Sequence, residues 1–232
     1  MAVERLATRL TEVKRRINLA VDRSGRKSGE IKLVAVSKNH PIDKIKYLKE
    51  QGISNFGENR VQELLDKAAE IDKISWHFIG HLQRNKVKYL MRMPNCQLIH
   101  SLDSWRLAKE IDKQARKNEC IMPVLVQVNV AEDENKFGFK LEEVEEFLKK
   151  AAELKNLVIK GLMTVVPYTD DPELSRPFFR RLADLKSDLV QKGYDLEELS
   201  MGMTNDFEVA IEEGATIVRV GTALFGKRGD YQ

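Results

Sequence analysis

Lys38 closes a short apolar run, Leu33-Val34-Ala35-Val36, that continues into Ser37-Lys38-Asn39 and is stopped by Pro41. Consecutive apolar, partly β-branched residues bounded by a proline read as a buried strand. Desolvation at such a strand end lowers the pKa of a lysine and frees its neutral amine to attack an aldehyde or ketone. Taken alone, Lys38 could equally extend to water along its own methylenes. A second group lies near the other end of the chain. Ser200-Met201-Gly202-Met203-Thr204 and Gly221-Thr222 join glycines to hydroxyl donors, a combination that lets backbone N–H groups approach an anion. The plainer alternative is two glycine turns with capping hydroxyls. Arg219 falls inside Ile217-Val218-Arg219-Val220. A guanidinium buried in a strand covered on both sides needs an acidic partner or a ligand.

The elements that must position these residues alternate along the chain. Leu6, Leu10, Val13, Ile17 and Val21 recur three or four apart and predict an amphipathic helix ending near Ser24-Gly25. Strands are expected at 31–37, 53–56, 74–79, 97–100, 122–130, 157–162, 198–201 and 216–220, each followed by a helical pattern. The run at 122–130 is the strongest and that at 198–201 the weakest. Such alternation forces parallel pairing, because every crossover returns along a helix. Eight units close as an α/β, single-domain TIM-type (β/α)8 barrel over residues 1–232, with an additional N-terminal helix. An open doubly wound sheet would call for Gly-x-Gly-x-x-Gly after the first strand, and none is there.

In such a barrel the working groups gather at the C-terminal strand ends, and phosphate sites form after strands seven and eight. Lys38, Asn59, His81, His100, Asn129, Thr164, Ser200 and Gly221 all fall at or just beyond strand ends. An amine, an anion cradle and a buried arginine on one mouth together suggest pyridoxal 5′-phosphate (PLP).

Composition narrows the remaining classes. Lysine and arginine total 39 against 36 acidic residues, and the charges alternate rather than cluster. Nucleic-acid and membrane-surface binding are therefore not expected. Cys96 and Cys120 stand in no paired-ligand spacing and read as reduced packing residues of a cytoplasmic protein. The N-terminus has no signal region and no run is long enough to span a bilayer. No surplus apolar stripe is evident from which an oligomeric state could be read; a monomer is the expectation.

Seven ordered segments make the pattern specific. They are Leu33–Lys38, Phe56–Glu63 (FGENRVQE), Trp76–Lys86 (WHFIGHLQRNK), His100–Asp103, Lys136–Phe139 (KFGF), Gly161–Thr164 and Ser200–Asp206 (SMGMTND). Together they resemble the PLP homeostasis protein family, the YggS/PROSC group, from Leu33 to Gly226. The resemblance implies a barrel like the N-terminal domain of alanine racemase, with PLP held as an internal aldimine on Lys38. It further implies that Ser200, Gly202, Gly221 and Thr222 hold the phosphate and that Arg219 faces the pyridine nitrogen. Met203, in the same loop, and Asn59 are counted with the cofactor-binding set. The implied role is buffering or delivering PLP, with apo PLP-dependent enzymes as recipients.

Little catalysis is expected. Arg219 cannot accept a proton, so it should leave the pyridine nitrogen unprotonated and the electron sink weak. The chain runs only to Gln232, with Tyr231 beyond the barrel. No second domain is therefore expected to bring the acid/base tyrosine that alanine racemase uses. Tyr168 is the one tyrosine expected near a strand's C-terminal end. The alternative function is a PLP-dependent amino-acid racemase. His77 and His81 straddle a strand and a turn rather than sharing a helix face, so no metal site is expected. Glu58 and Asp206 read as first-turn surface carboxylates.

Overall fold

Each apolar run pairs in parallel with the next, and the last returns to the first. The computed structural model describes residues 2–27 and 29–226. Its strands are β1 (Lys32–Val36), β2 (Asn55–Glu58), β3 (Ser75–Phe78), β4 (Cys96–Leu102), β5 (Met122–Gln127), β6 (Leu157–Met163), β7 (Glu198–Ser200) and β8 (Ile217–Val220). They form a closed barrel in sequence order, sealed where Val34 registers with Arg219 and Ala35 with Val220. The helices are α1 (Ala2–Arg23), α2 (Ile42–Glu50), α3 (Val61–Ala68), α4 (Val87–Leu90), α5 (Trp105–Lys117), α6 (Val144–Ala151), α7 (Arg176–Gln191), α8 (Phe207–Glu212) and α9 (Thr222–Phe225).

The core divides in two. The larger layer lies between strands and helices and includes Phe56, Trp76, Phe78, Phe179 and Phe207. A separate small cluster, Val34, Leu98, Leu125, Met163 and Ile217, lies apart from it. Barrel interiors are commonly filled by bulky branched side chains. Here His77, His100, Ser200 and Arg219 are also buried on the barrel strands, so part of the interior is polar. α1 buries Leu6, Leu10, Val13, Ile17 and Val21 against α8 and α9, each side chain contributing about 2 kcal/mol. Arg16–Glu208 and Arg23–Glu212 ion pairs flank that seam.

Local differences from the sequence reading have identifiable causes. β2 runs to Glu58 instead of ending at Phe56, because Glu58 pairs with Phe78 of β3. β5 stops at Gln127, since Phe139 N–H and C=O take over the bonds at Gln127 and Asn129. The helical pattern expected after the third strand is a 3-10 turn (Arg84–Lys86) followed by the single turn of α4. Tyr231 lies outside the described residues.

Candidate functional site

Lys38 follows β1 directly, and its two neighbours are tied down. Ser37 Oγ donates to Glu58 Oε1 at 2.7 Å, and Lys67 Nζ donates to Ser37 O at 2.7 Å. Lys67 also reaches Glu58 Oε1 at 2.6 Å and Glu63 Oε1 at 2.7 Å. Glu63 in turn accepts the Asn39 N–H, and Asn39 adopts the left-handed conformation at φ 62°, which asparagine tolerates better than most residues. Lys38 itself is half-buried, and among the described residues no hydrogen bond or ion pair engages its Nζ. Glu58 is fully buried, and among the described residues its Oε2 finds no partner. That corrects the surface reading of Glu58: as the last residue of β2 it turns inward. Burial pushes its carboxyl up, while the Lys67 and Ser37 hydrogen bonds pull it back.

The loop after β7 is shaped by Gly202. Its φ is 89°, and a Cβ there would stand 2.6 Å from Ala210 Cβ and 2.9 Å from Phe207 Cα. Only glycine permits that turn. Asp206, also read as a surface group, is buried instead; it accepts the Met203 N–H at 2.7 Å and the Ser175 hydroxyl at 3.3 Å. Burial raises its carboxyl. Met203 has its N–H committed to this cap, and its side chain is exposed. Thr204, outside the expected set, accepts the Ala223 N–H at 3.1 Å and so ties this loop to α9. The hydroxyl inside the SMGMTND segment was the available signal for it. Gly221 and Thr222 lead into α9, and no hydrogen bond engages their N–H groups among the described residues.

Ser200 is placed differently from the hydroxyl donor the sequence suggested. It is fully buried, and its Oγ lies between Arg219 Nη1 at 2.6 Å and His100 Nδ1 at 2.8 Å. Arg219 is buried as foreseen, yet its partners are neutral: Ser200 Oγ and, at 2.8 Å, the Thr164 carbonyl. Burial pulls the guanidinium down to about 10, which leaves it charged at neutral pH. Lys38, Arg219, Gly202 and Gly221 thus come from three adjacent strands, β7, β8 and β1. The Arg219 N–H donating to Gly202 O joins two of them.

Asn59 follows β2, which neighbours β1 in the barrel. A Cβ on Gly80 would stand 2.2 Å from the Asn59 carbonyl oxygen, so the loops after β2 and β3 touch there. Asn59 also lines a cavity of about 260 Å³ at the barrel mouth with Gly80, Asn129, Lys136, Phe137 and Met163. Tyr168 is 81% exposed and donates to Asp170, out in solvent. His81 pairs with Asp103 and stacks on Phe137, whereas His77 is buried against His100. No metal-binding cluster occurs among the described residues, and none of their helices is long and apolar enough to cross a membrane.

A closed barrel with an unpaired amine after β1, a glycine-shaped loop after β7 and a buried arginine on β8 defines a lysine-bearing (β/α)8 barrel of the ligand-holding kind. The chain belongs to the alanine racemase N-terminal domain family, whose model matches residues 9–229, and within it to the pyridoxal phosphate homeostasis proteins. The Aquifex aeolicus protein of that name is 49% identical over 95% of this chain and 97% of its own length. The mouse protein of that name is 39% identical over 96% of this chain and 86% of its own. PipY of Synechococcus elongatus, solved with PLP bound, superposes with a TM-score of 0.82 at 32% identity, covering 95% of this chain and all of PipY.

Proposed function

We propose that this protein binds PLP covalently but reversibly through Lys38 and serves PLP homeostasis as a buffer or donor of the cofactor, with little catalysis of its own. The observation that carries the reading is the Lys38 amine just after β1, unpaired among the described residues, beside a β8 that bears Arg219 and is followed by the unengaged N–H groups of Gly221 and Thr222. The donor set fits: an amine for an aldehyde, backbone N–H groups for a phosphate, and a guanidinium with N–H groups to spare for a ring nitrogen.

When bound, PLP supplies an aldehyde that exchanges between amines and a ring that withdraws electrons. Lys38 would provide the amine, and its clamped neighbours limit its freedom to the side-chain dihedrals. Gly202 and Thr204 shape the loop, while Gly221 and Thr222 N–H groups would hold the phosphate, with Met203 and Asn59 at the rim. Ser200 would act through Arg219. Being donor-only, Arg219 would hold the ring nitrogen unprotonated, which weakens electron withdrawal. Tyr168, in solvent, offers no acid/base group over the site. These features support a carrier that passes PLP to apo PLP-dependent enzymes. Exposed apolar side chains such as Leu19 in α1, Ile121 before β5 and Val190 in α7 are scattered, which supports a monomer, and the free thiols of Cys96 and Cys120 fit a reducing cytoplasm.

Absorbance spectra of the wild type and Lys38→Ala with added PLP, before and after borohydride reduction, test this. A reducible visible band and an adduct mapped to Lys38 are expected. No adduct, or one on another residue, overturns the reading. The racemase family model keeps an amino-acid racemase as the second reading. Rapid α-deuteration of L-amino acids by the PLP-loaded protein in deuterated water would favour it.

A further inference from the structure

Polar side chains inside the barrel touch end to end from Arg219 down to the opposite mouth. Arg219 Nη1 donates to Ser200 Oγ at 2.6 Å, and Ser200 Oγ lies 2.8 Å from His100 Nδ1. His100 Nε2 lies 2.9 Å from His77 Nδ1, and His77 Nε2 lies 3.1 Å from Asn55 Oδ1. The four residues from Arg219 to His77 are 4%, 0%, 0% and 2% exposed. Asn55 and His77 then border a cavity of about 260 Å³, together with Lys32 and Glu198.

The protons in this chain can be assigned from chemistry. A guanidinium only donates, so Ser200 Oγ must receive Arg219 into a lone pair and keeps one proton to give. His100 Nδ1 is the acceptor in reach. A neutral His100 accepting at Nδ1 carries its proton on Nε2 and donates to His77 Nδ1. By the same step His77 carries its proton on Nε2 and donates to Asn55 Oδ1. Asn55 Nδ2 donates to Ser54 Oγ at 3.1 Å, which turns its carbonyl oxygen toward His77. The two ends therefore demand the same direction. The reverse direction would leave the Ser200 proton without an acceptor in a fully buried site. A charged His77 would set its Nδ1–H against the His100 Nε2–H, and a charged His100 would set its Nδ1–H against the Ser200 hydroxyl proton. Burial opposes that charge in both rings; the positive charge of Lys32 adds to it in both and that of Arg219 in His100, while Glu198 works the other way on His77.

We propose that His100 and His77 are positioning residues for Arg219: both imidazoles are held neutral in the Nε2–H form, so that the Ser200 hydroxyl is committed to His100 and its lone pair becomes a fixed anchor for the guanidinium. The significance of that anchor rests on the PLP reading, in which Arg219 meets the ring nitrogen. The proton assignment does not.

Nitrogen-15 NMR of histidine-labelled protein without cofactor, at neutral pH, tests the assignment. His77 and His100 resonances, identified with His77→Gln and His100→Gln, are expected to show neutral rings protonated at Nε2. An Nδ1–H form or an imidazolium at either position overturns the proposal. PLP titrations followed by absorbance test the anchoring. His100→Leu removes the acceptor for Ser200, so the visible band should shift and PLP affinity fall about fivefold. His100→Gln retains an acceptor and should stay within about twofold of wild type. Equal behaviour of the two variants, or an unmoved band in His100→Leu, overturns the positioning role. A wild type that takes up no PLP sinks the PLP reading instead, and the NMR result still decides the direction of the chain.

Discussion

Lys67 Nζ lies 2.7 Å from the carbonyl oxygen of Ser37, so a buried ammonium grips the residue immediately before Lys38. Glu63, itself held by Lys67, takes the N–H of the residue immediately after it. The two lysines divide the labour: Lys67 is fully engaged in α3, and Lys38 is left unpaired. Clamping both flanks restricts the amine before any ligand arrives, which lowers the ordering entropy of binding.

Removing the clamp should be costly. Lys67→Met leaves Glu58 buried and without its counter-charge, and urea denaturation should show a loss of about 3 kcal/mol. Adding Glu58→Leu to Lys67→Met should recover part of that loss, since replacing both partners spares the buried charge. A single variant within about 0.5 kcal/mol of wild type would show that the pair does not hold the fold together.

Acid should expose the buried imidazoles. In the unfolded chain histidine takes a proton near 6.5, whereas burial holds His77 off until about 3 and His100 well below its usual range. Between those values the unfolded state binds more protons, so stability falls as pH drops, by roughly 1 kcal/mol per unit for each ring, and is flat in this respect above pH ~7. Glu58 and Asp206, raised by burial, act with the opposite sign just above the ordinary carboxylate range, within the same window. Comparing the pH dependence of denaturation midpoints for wild type and His77→Gln isolates the imidazole. The variant should lose less stability on acidification.

Two neighbouring glycines should behave differently. Gly202→Ala forces a side chain onto φ 89° and to 2.6 Å from Ala210 Cβ, so thermal unfolding should report a loss of about 2 kcal/mol or more. At Gly221 the added Cβ would meet only ordinary contacts from 3.5 Å outward. Gly221→Ala should stay within about 0.5 kcal/mol of wild type, while its PLP affinity, measured by titration, drops. An unchanged affinity would remove Gly221 from the phosphate site.

The N-terminal helix is a structural part of the domain. Leu10 is 5% exposed on the seam between α1 and the last helices, and Leu10→Ala should cost about 3 kcal/mol by chemical denaturation. A midpoint indistinguishable from wild type would mean that α1 packs only loosely.

Most of the architecture was legible in local pattern. A strand period of two and a helix period near four leave short apolar runs and amphipathic stretches that alternate, and the weak run at 198–201 is indeed the three-residue β7. Lys38 and Arg219 stood out because charged groups at or in apolar strands are expensive unless used. Glu58 and Asp206 were misread, since one residue more or less of strand, or one capped turn, carries a carboxylate from solvent to core.

Residue order alone determined the barrel, the amine at the end of its first strand and the glycine-hydroxyl loops after its last two, because spacing along the chain dictates which side chains recur at strand ends. Only the closed tertiary structure decided that Ser200 grips Arg219 and that His77 and His100 form one polar line. Those contacts join residues as much as 100 positions apart, and a hydrogen bond needs atoms within about 3 Å, a condition that no local pattern encodes and that barrel closure supplies.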